Sequence, residues 1–223
     1  KGLWQLGLDA VQKVCDLIKQ HNIDCELGSG NLHLAAQPNH ARELQDELEH
    51  LESQYDYQQL TYLPPDAVAE RTSARGFHGG LLDDGCKHLH PLKYALGLAR
   101  AASEAGVKIY EGTRGHPQAD GLSGEVKTQN GCVKARHVVI GCNAYLGKLV
   151  PRMASNIMPI NNFVIATGRL PSHLLPRINR DNLSMSDTLF VINQNKFGER
   201  PSLRKGNERW RQNIVSGVVT RLP

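Results

Sequence analysis

Long apolar runs are missing from these 223 residues. The apolar stretches are short, as in His137-Val138-Val139-Ile140-Gly141, so no segment has the roughly 20 apolar residues of a membrane-spanning helix. Cysteine is sparse and unpaired in pattern. Cys15, Cys25, Cys86, Cys132 and Cys142 form no C-x-x-C, and their odd number argues against a disulfide framework or a structural zinc site. Reduced thiols in the cytoplasm are the expectation. Aromatic residues make up only 5%, but the apolar share of 40% still allows a sizeable core. There is no G-x-G-x-x-G, no Walker loop, no H-E-x-x-H and no G-x-S-x-G, so the chain holds no self-sufficient catalytic or phosphate-binding motif. It also opens on Lys1 rather than Met, inside an amphipathic helical pattern. That predicts a processed or truncated N-terminus.

What is present is a mixed sequence of helical and strand patterns. Leu3, Leu6, Leu8, Val11, Val14, Leu17 and Ile18 recur at a spacing that mixes threes and fours and predict a helix from about Leu3 to Gln20. Ile23 to Ala36 reads as a hairpin bent at Gly28-Ser29-Gly30, with Leu32 and Leu34 alternating after it. A second helix follows Pro38-Asn39, with Asn39 as its cap and Leu44, Leu48 and Leu51 on one face. Pro64-Pro65 breaks the chain before a short helix. Gly76 to Leu82 reads as a glycine-rich strand turned by Asp83-Asp84-Gly85. Pro91 opens a strong helix from Leu92 to Ala105, and Gly106 ends it.

Strands are then expected at Val107–Tyr110, on both sides of Asn130-Gly131, at Arg136–Gly141, within Asn156–Leu170 and at Ser186–Asn193. No repeat is visible. The irregular order of helices and strands favours an α+β or interrupted α/β fold.

Charge is concentrated at the end. Residues 194–223 carry seven basic and two acidic side chains, a local +5 against +4 for the whole chain. Such a tail is expected to be a solvated end. A nucleic-acid contact is the rival reading, but no nucleic-acid motif accompanies the charge, and neither nucleic acid nor membrane is the expected partner. His88 and His90 would share a face if both lay on a strand. With Asp83 and Asp84 they could suggest a metal, but a turn between strand and helix is the better reading, and no metal is expected.

The longest informative pattern runs from Gly79 through the "HPLKYALGLARAA" helix and Gly106–Thr113 to Asn130-Gly131 and Ala135–Gly147, with its "NAYLG". In order and spacing it resembles the D-amino-acid-oxidase-like family of FAD-dependent oxidoreductases. The "HPLKYALGLARAA" and "NAYLG" stretches, Met158-Pro159 and "NFVIAT" are most similar to its γ-glutamylputrescine oxidoreductase branch. The resemblance covers about Leu3 to Asn193 and marks an internal piece of such a protein.

It implies part of an FAD-binding Rossmann-like domain plus part of an antiparallel-sheet substrate domain. Residues 1–85 and 151–193 would be substrate-domain portions, 86–150 the returning FAD-binding portion and 194–223 a divergent basic tail. Thr113, Arg114 and Gly115, at the end of one strand, and Gly141, Cys142 and Asn143, at the end of another, would approach FAD with backbone groups. The bland alternative is a packed strand and a turn at each place. The implied activity is oxidation of a small-molecule amine, with hydride passing to flavin and oxygen or another acceptor reoxidising it. Asn161 or Thr167 could face substrate, though either could equally be an ordinary sheet residue. The family's opening dinucleotide fingerprint and closing glycine-rich segments are absent here. Gly115-His116-Pro117 stands where an apolar strand residue is usual, and from Gln194 the pattern is lost, which suggests divergence or a frameshift. A non-catalytic remnant that does not hold FAD tightly is therefore the alternative.

Overall fold

The computed structural model describes residues 1–73, 75–117, 124–158 and 171–189. In chain order the elements are α1 (Gly2–Gln20), β1 (Gly28–Leu34), α2 (Pro38–Tyr55), β2 (Leu60–Leu63), α3 (Pro65–Arg71), β3 (Gly80–His88), α4 (Pro91–Glu104), β4 (His116–Pro117), β5 (Glu125–Thr128), β6 (Gly131–Lys134), α5 (Pro151–Ala154), α6 (Leu175–Ile178) and β7 (Ser184–Asp187). This is the expected mixture of helices and sheets. The chain divides into two compact units, one of residues 1–104 with the stretch that includes β7, the other spanning residues 105–162.

The first unit is organised by a four-stranded mixed sheet in the order β2-β3-β1-β7, antiparallel except for the parallel pair β1–β7. Its core follows from strand alternation. On one face Leu32, Leu34, Leu63 and Leu82 meet Val68 of α3 and Leu183. On the other, Ala35, Leu60 and Leu81 meet Leu44 of α2, flanked by Ala41, Leu48 and Leu51. A third cluster joins Ile18 of α1 to Ile23 and Cys25, with Leu89 and with Tyr94 and Leu98 of α4 packed against it. Burial thus uses the helical stripes read from the sequence, but only part of α1: Leu3 and Leu6 remain largely exposed.

Several local expectations are corrected. Ile23–Ala36 is not a hairpin. β1 is one strand whose partners, β3 and β7, come from far along the chain. Asn39 does not cap α2. Gln37 holds the cap position, Pro38 fills the first turn, and Asn39 Nδ2 instead donates to Glu43 Oε1 at 3.3 Å. Asp83-Asp84-Gly85 does not turn the chain. Asp84, Gly85 and Cys86 form a bulge inside a continuous β3, opposite Gly30, between the pairs Ser29↔Lys87 and Asn31↔Asp83. His88 ends β3, whereas His90 lies beyond it, where its Nδ1 accepts the Lys93 backbone N–H at 3.4 Å at the start of α4. The strand expected at Ser186–Asn193 is β7, beginning at Ser184; residues 190–193 lie outside the described residues.

In the second unit β4, β5 and β6 form an antiparallel sheet in that order. The β5–β6 hairpin exists, but its loop is Gln129-Asn130, and Gly131 already pairs with Thr128. Neither Val107–Tyr110 nor Arg136–Gly141 is a strand. Val107, Ile109, Tyr110 and Val139 are exposed, Val139 to 92%. Among the described residues of this unit Leu146 is the buried apolar side chain. Strands with apolar sequence but nothing to pack against do not form here, because propensity alone does not fix a β conformation. The expected strand within Asn156–Leu170, including Asn161 and Thr167, and the tail 194–223 fall outside the described residues, apart from Asn156–Met158, which form no strand.

Leu32 is fully buried, so Leu32→Ala is expected to destabilise the fold by about 2–5 kcal/mol. Val139→Ser is expected to change stability by less than about 0.5 kcal/mol. Urea midpoints of the two variants test this; equal losses would contradict the packing described.

Candidate functional site

The alternation that buries Leu32 and Leu34 turns Asn31 and His33 to the opposite face of β1, where the parallel partner β7 places Ser184 and Ser186 beside them. The four side chains form a half-buried hydrogen-bonded strip. Asn31 Nδ2 donates to Ser184 Oγ at 2.8 Å, and Ser184 Oγ donates to the Gly30 carbonyl at 3.1 Å. Ser186 Oγ lies 3.4 Å from Asn31 Oδ1 and 2.8 Å from His33 Nδ1. Just beyond β7, Thr188 Oγ1 accepts the Ala36 N–H at 3.0 Å and lies 2.6 Å from His40 Nδ1. Two histidines are thereby tied to hydroxyls along one sheet margin. On the same face α2 packs against Ala35, just after β1, and against Leu60 and Leu81 of the neighbouring strands.

Next to this strip, the β3 bulge is held by Asp83. Its Oδ1 accepts from Tyr57 Oη at 2.7 Å, from Gly85 N–H at 2.8 Å and from Cys86 N–H at 3.3 Å. Its Oδ2 accepts from Cys86 Sγ at 3.2 Å. Burial, and then the hydrogen bond and charge of Asp83, push the Cys86 thiol up to about 11. The same causes in the same order raise the Tyr57 hydroxyl well above its usual range. Both groups are held protonated. Cys86 is accordingly a structural thiol and a poor nucleophile. A Cβ on Gly85 would run into the Tyr57 hydroxyl, so glycine is needed for the close approach.

The residues expected to approach a cofactor all lie in the second unit. Thr113 and Arg114, exposed, and Gly115, half-buried, form the approach to β4. Thr113 Oγ1 donates to the Glu111 carbonyl at 3.1 Å, and a Cβ on Gly115 would stand 3.0 Å from Val126 Cγ1 of β5. Gly141 has open space around it, Cys142 accepts the Tyr145 N–H at 3.0 Å, and Asn143 begins a 3-10 turn with φ 48°. No hydrogen bond or ion pair among the described residues joins the 113–115 segment to the 141–143 segment. The described residues contain no group of three or more His, Cys, Asp or Glu side chains placed to hold a metal. Sequence reasoning missed the β1–β7 strip. Its signal was there in the polar half of two alternating stretches, Asn31-Leu32-His33-Leu34 and Ser184-Met185-Ser186, but only the parallel pairing brings the two together.

Comparison with known proteins gives a consistent result. A family profile described as FAD dependent oxidoreductase (DAO) matches residues 1–206. The chain is 32% identical over 191 residues to a probable oxidoreductase OrdL of Rhizobium meliloti, covering 85% of this chain and 44% of that protein. It is 31% identical over 176 residues to γ-glutamylputrescine oxidoreductase of Escherichia coli, covering 78% and 41%. It thus spans less than half the length of these relatives. Among solved structures, glycine oxidase from Geobacillus kaustophilus matches with a TM-score of 0.55 at 24% identity, over 66% of this chain and 41% of that one. L-proline dehydrogenase from P. horikoshii matches at 0.53 and 18%, over 68% and 42%. These two establish likeness of fold.

Cys86 has an ordinary value of 9.0 when unfolded and about 11 when folded. Unfolded chains therefore lose this proton first, and the stability that Cys86 contributes is complete below about pH 9 and lost as pH rises toward 11. Asp83→Asn is expected to return the thiol toward its ordinary value. Peptide-resolved iodoacetamide labelling against pH should show Cys86 reacting at lower pH in the variant; an unchanged profile would contradict the role given to Asp83.

Proposed function

This chain belongs to the DAO family of FAD-dependent oxidoreductases, and on that footing we propose that it serves the oxidation of a small amine, γ-glutamylputrescine-like or amino-acid-like. The observation that carries the reading is the family match across both compact units, supported by the E. coli relative whose name specifies γ-glutamylputrescine. When bound, FAD supplies the two-electron acceptor for hydride leaving the carbon next to nitrogen. The imine so formed hydrolyses to a carbonyl compound and a free amine or ammonia.

The chain's own residues suit one part of such a cofactor site. The backbone at Gly141-Cys142-Asn143 is exposed or half-buried, and the space around Gly141 is open, so peptide groups there can approach a phosphate or ribose without displacing a side chain. Thr113, Arg114 and Gly115 are assigned the same role at the approach to β4, with Arg114 as the charged group available to an anion. Residues 86–150 are read as the cofactor-binding portion, and 1–85 with 151–193 as the substrate portion. All six assigned residues fall within the compact unit 105–162, whereas residues 86–104, with α4, cluster with the first unit. Five free thiols suit a reducing cytoplasmic setting.

A second reading has its own observation. No G-x-G-x-x-G occurs in these 223 residues, so the peptide cradle that usually takes the pyrophosphate at a helix N-terminus is not supplied by them. By itself, the 223-residue polypeptide then holds FAD weakly.

The test is a visible absorbance spectrum of the purified protein before and after added FAD, with free cofactor removed, followed by anaerobic addition of amines. A retained flavin band bleached by an amine is the expected result. A retained band that no amine bleaches would overturn the amine reading, and loss of the band on desalting would favour the second reading. Gly141→Val is expected to leave the melting temperature unchanged, since nothing lies within 4 Å of the added Cβ, while weakening FAD retention at least ~10-fold, about 1.4 kcal/mol. Unchanged retention would remove Gly141 from the site.

A further inference from the structure

The hydrogen bonds of the β1–β7 strip fix the direction of every proton in it. A backbone carbonyl can only accept, so the hydroxyl hydrogen of Ser184 is committed to Gly30 O. Ser184 Oγ must then accept at its 2.8 Å contact, which sets the Asn31 amide with Nδ2 toward Ser184 and Oδ1 toward Ser186. Asn31 Oδ1 can only accept, so the hydroxyl hydrogen of Ser186 is committed to it across 3.4 Å, the longest link. Ser186 Oγ is left as an acceptor at its 2.8 Å contact with His33, and the donor there is His33 Nδ1–H.

From this we infer that His33 is held as the Nδ1–H tautomer, with the lone pair on Nε2 offered to an N–H donor, and that the donor it suits is the ammonium group of an amine. The inference rests on the amine reading proposed above. His33 Nε2 makes no hydrogen bond among the described residues, and it is not one of their sealed, unpartnered polar atoms, which are Trp4 Nε1 and His88 Nε2. His33 is half-buried, and Nε2, not being one of those sealed atoms, keeps some access to solvent.

Hydride can leave only an amine whose nitrogen lone pair is free. Transfer of one proton from R–NH3⁺ to Nε2 leaves the neutral amine and an imidazolium. No electrons move, and the Nδ1–H to Ser186 bond is kept in both states. Three titratable groups on neighbouring elements are engaged or face elsewhere among the described residues. Asp83 of β3, paired with Asn31, binds Tyr57 and Cys86. Asp187 of β7 pairs with Leu34 and lies on the other face, and His40 of α2 is tied to Thr188.

Long-range proton–nitrogen correlation spectra of ¹⁵N-histidine-labelled protein test the inference, with n-butylamine as the probe. His33, identified by its loss in His33→Asn, is expected to show the Nδ1–H pattern when neutral and to shift at Nε2 on titration with the amine. Ser186→Ala is expected to release it to the Nε2–H tautomer. His33→Asn keeps an N–H donor for Ser186 but places nothing at Nε2, so it is expected to retain the wild-type melting temperature while raising KM for the amine at least ~10-fold, which a purely structural histidine would not do. An Nε2–H tautomer in the wild-type protein would overturn the inference. So would an Nε2 signal unmoved by an amine that bleaches the flavin. If no amine bleaches a retained flavin, the functional reading fails instead, and the tautomer spectrum still decides the state of His33.

Discussion

The grip of Asp83 on the β3 bulge is the contact on which the first unit's geometry depends. Strand alternation makes register an all-or-none property: a one-residue slip would exchange the two faces of β1. The bulge absorbs the extra residues between Lys87 and Asp83, and it does so at one place because a single carboxylate satisfies the Gly85 and Cys86 N–H groups and binds the Tyr57 hydroxyl. With that register set, Leu32 and Leu34 fall into the core, and Asn31 and His33 fall onto the side where β7 supplies serines. The bulge and the polar strip are therefore consecutive consequences of one constraint, and Gly30, opposite the bulge with φ 92°, supplies the carbonyl that anchors the strip.

The two units are unequal in how they are held. Three apolar clusters support the first, each drawing on residues distant in sequence. The second has a three-stranded antiparallel sheet whose β6 residues are exposed, and loops whose backbone is open. On the reading proposed above, such openness suits peptide groups that would meet phosphate and ribose. It also explains why Val107–Tyr110 and Arg136–Gly141, apolar enough to read as strands, do not form them among these residues. A parallel strand is stabilised by neighbours on both edges and by burial on both faces. Neither stretch has a strand neighbour on either edge among the described residues.

That contrast sets what could be read from sequence. Helices were legible because their signals are local: Pro38, Pro65 and Pro91 in first turns, Gly106 after α4 with φ 90°, and apolar residues at threes and fours. The family was legible from the order of many weak pieces spread over both units. Strand partnership was not. Nothing near Gly28–Leu34 says that its two neighbours both lie later in the chain, one about fifty residues on and the other about one hundred and fifty. Asp83-Asp84-Gly85 has turn composition, and only the tertiary pairing makes it a bulge. The six assigned cofactor residues rest on the family pattern, to which the open backbone at Gly141 adds a physical reason.

The β1–β7 strip shows why a functional histidine can escape a reading based on motifs. Among the described residues His33 belongs to no group of His, Cys, Asp or Glu that could hold a metal, and it is tied through Ser186 to an asparagine and a second serine, ordinary polar residues. Its chemistry is set by the ends of the chain of bonds rather than by any member. A carbonyl that can only accept stands at one end, and a ring with two inequivalent nitrogens stands at the other. Each hydroxyl between them carries one hydrogen, so the direction imposed at Gly30 is transmitted without loss to His33. Removing either serine would cost little stability on a half-buried edge, yet would free the ring to take either tautomer. A network of this kind stabilises the fold weakly and specifies a proton position strongly, which is the property expected of a group that receives a proton before an amine can be oxidised.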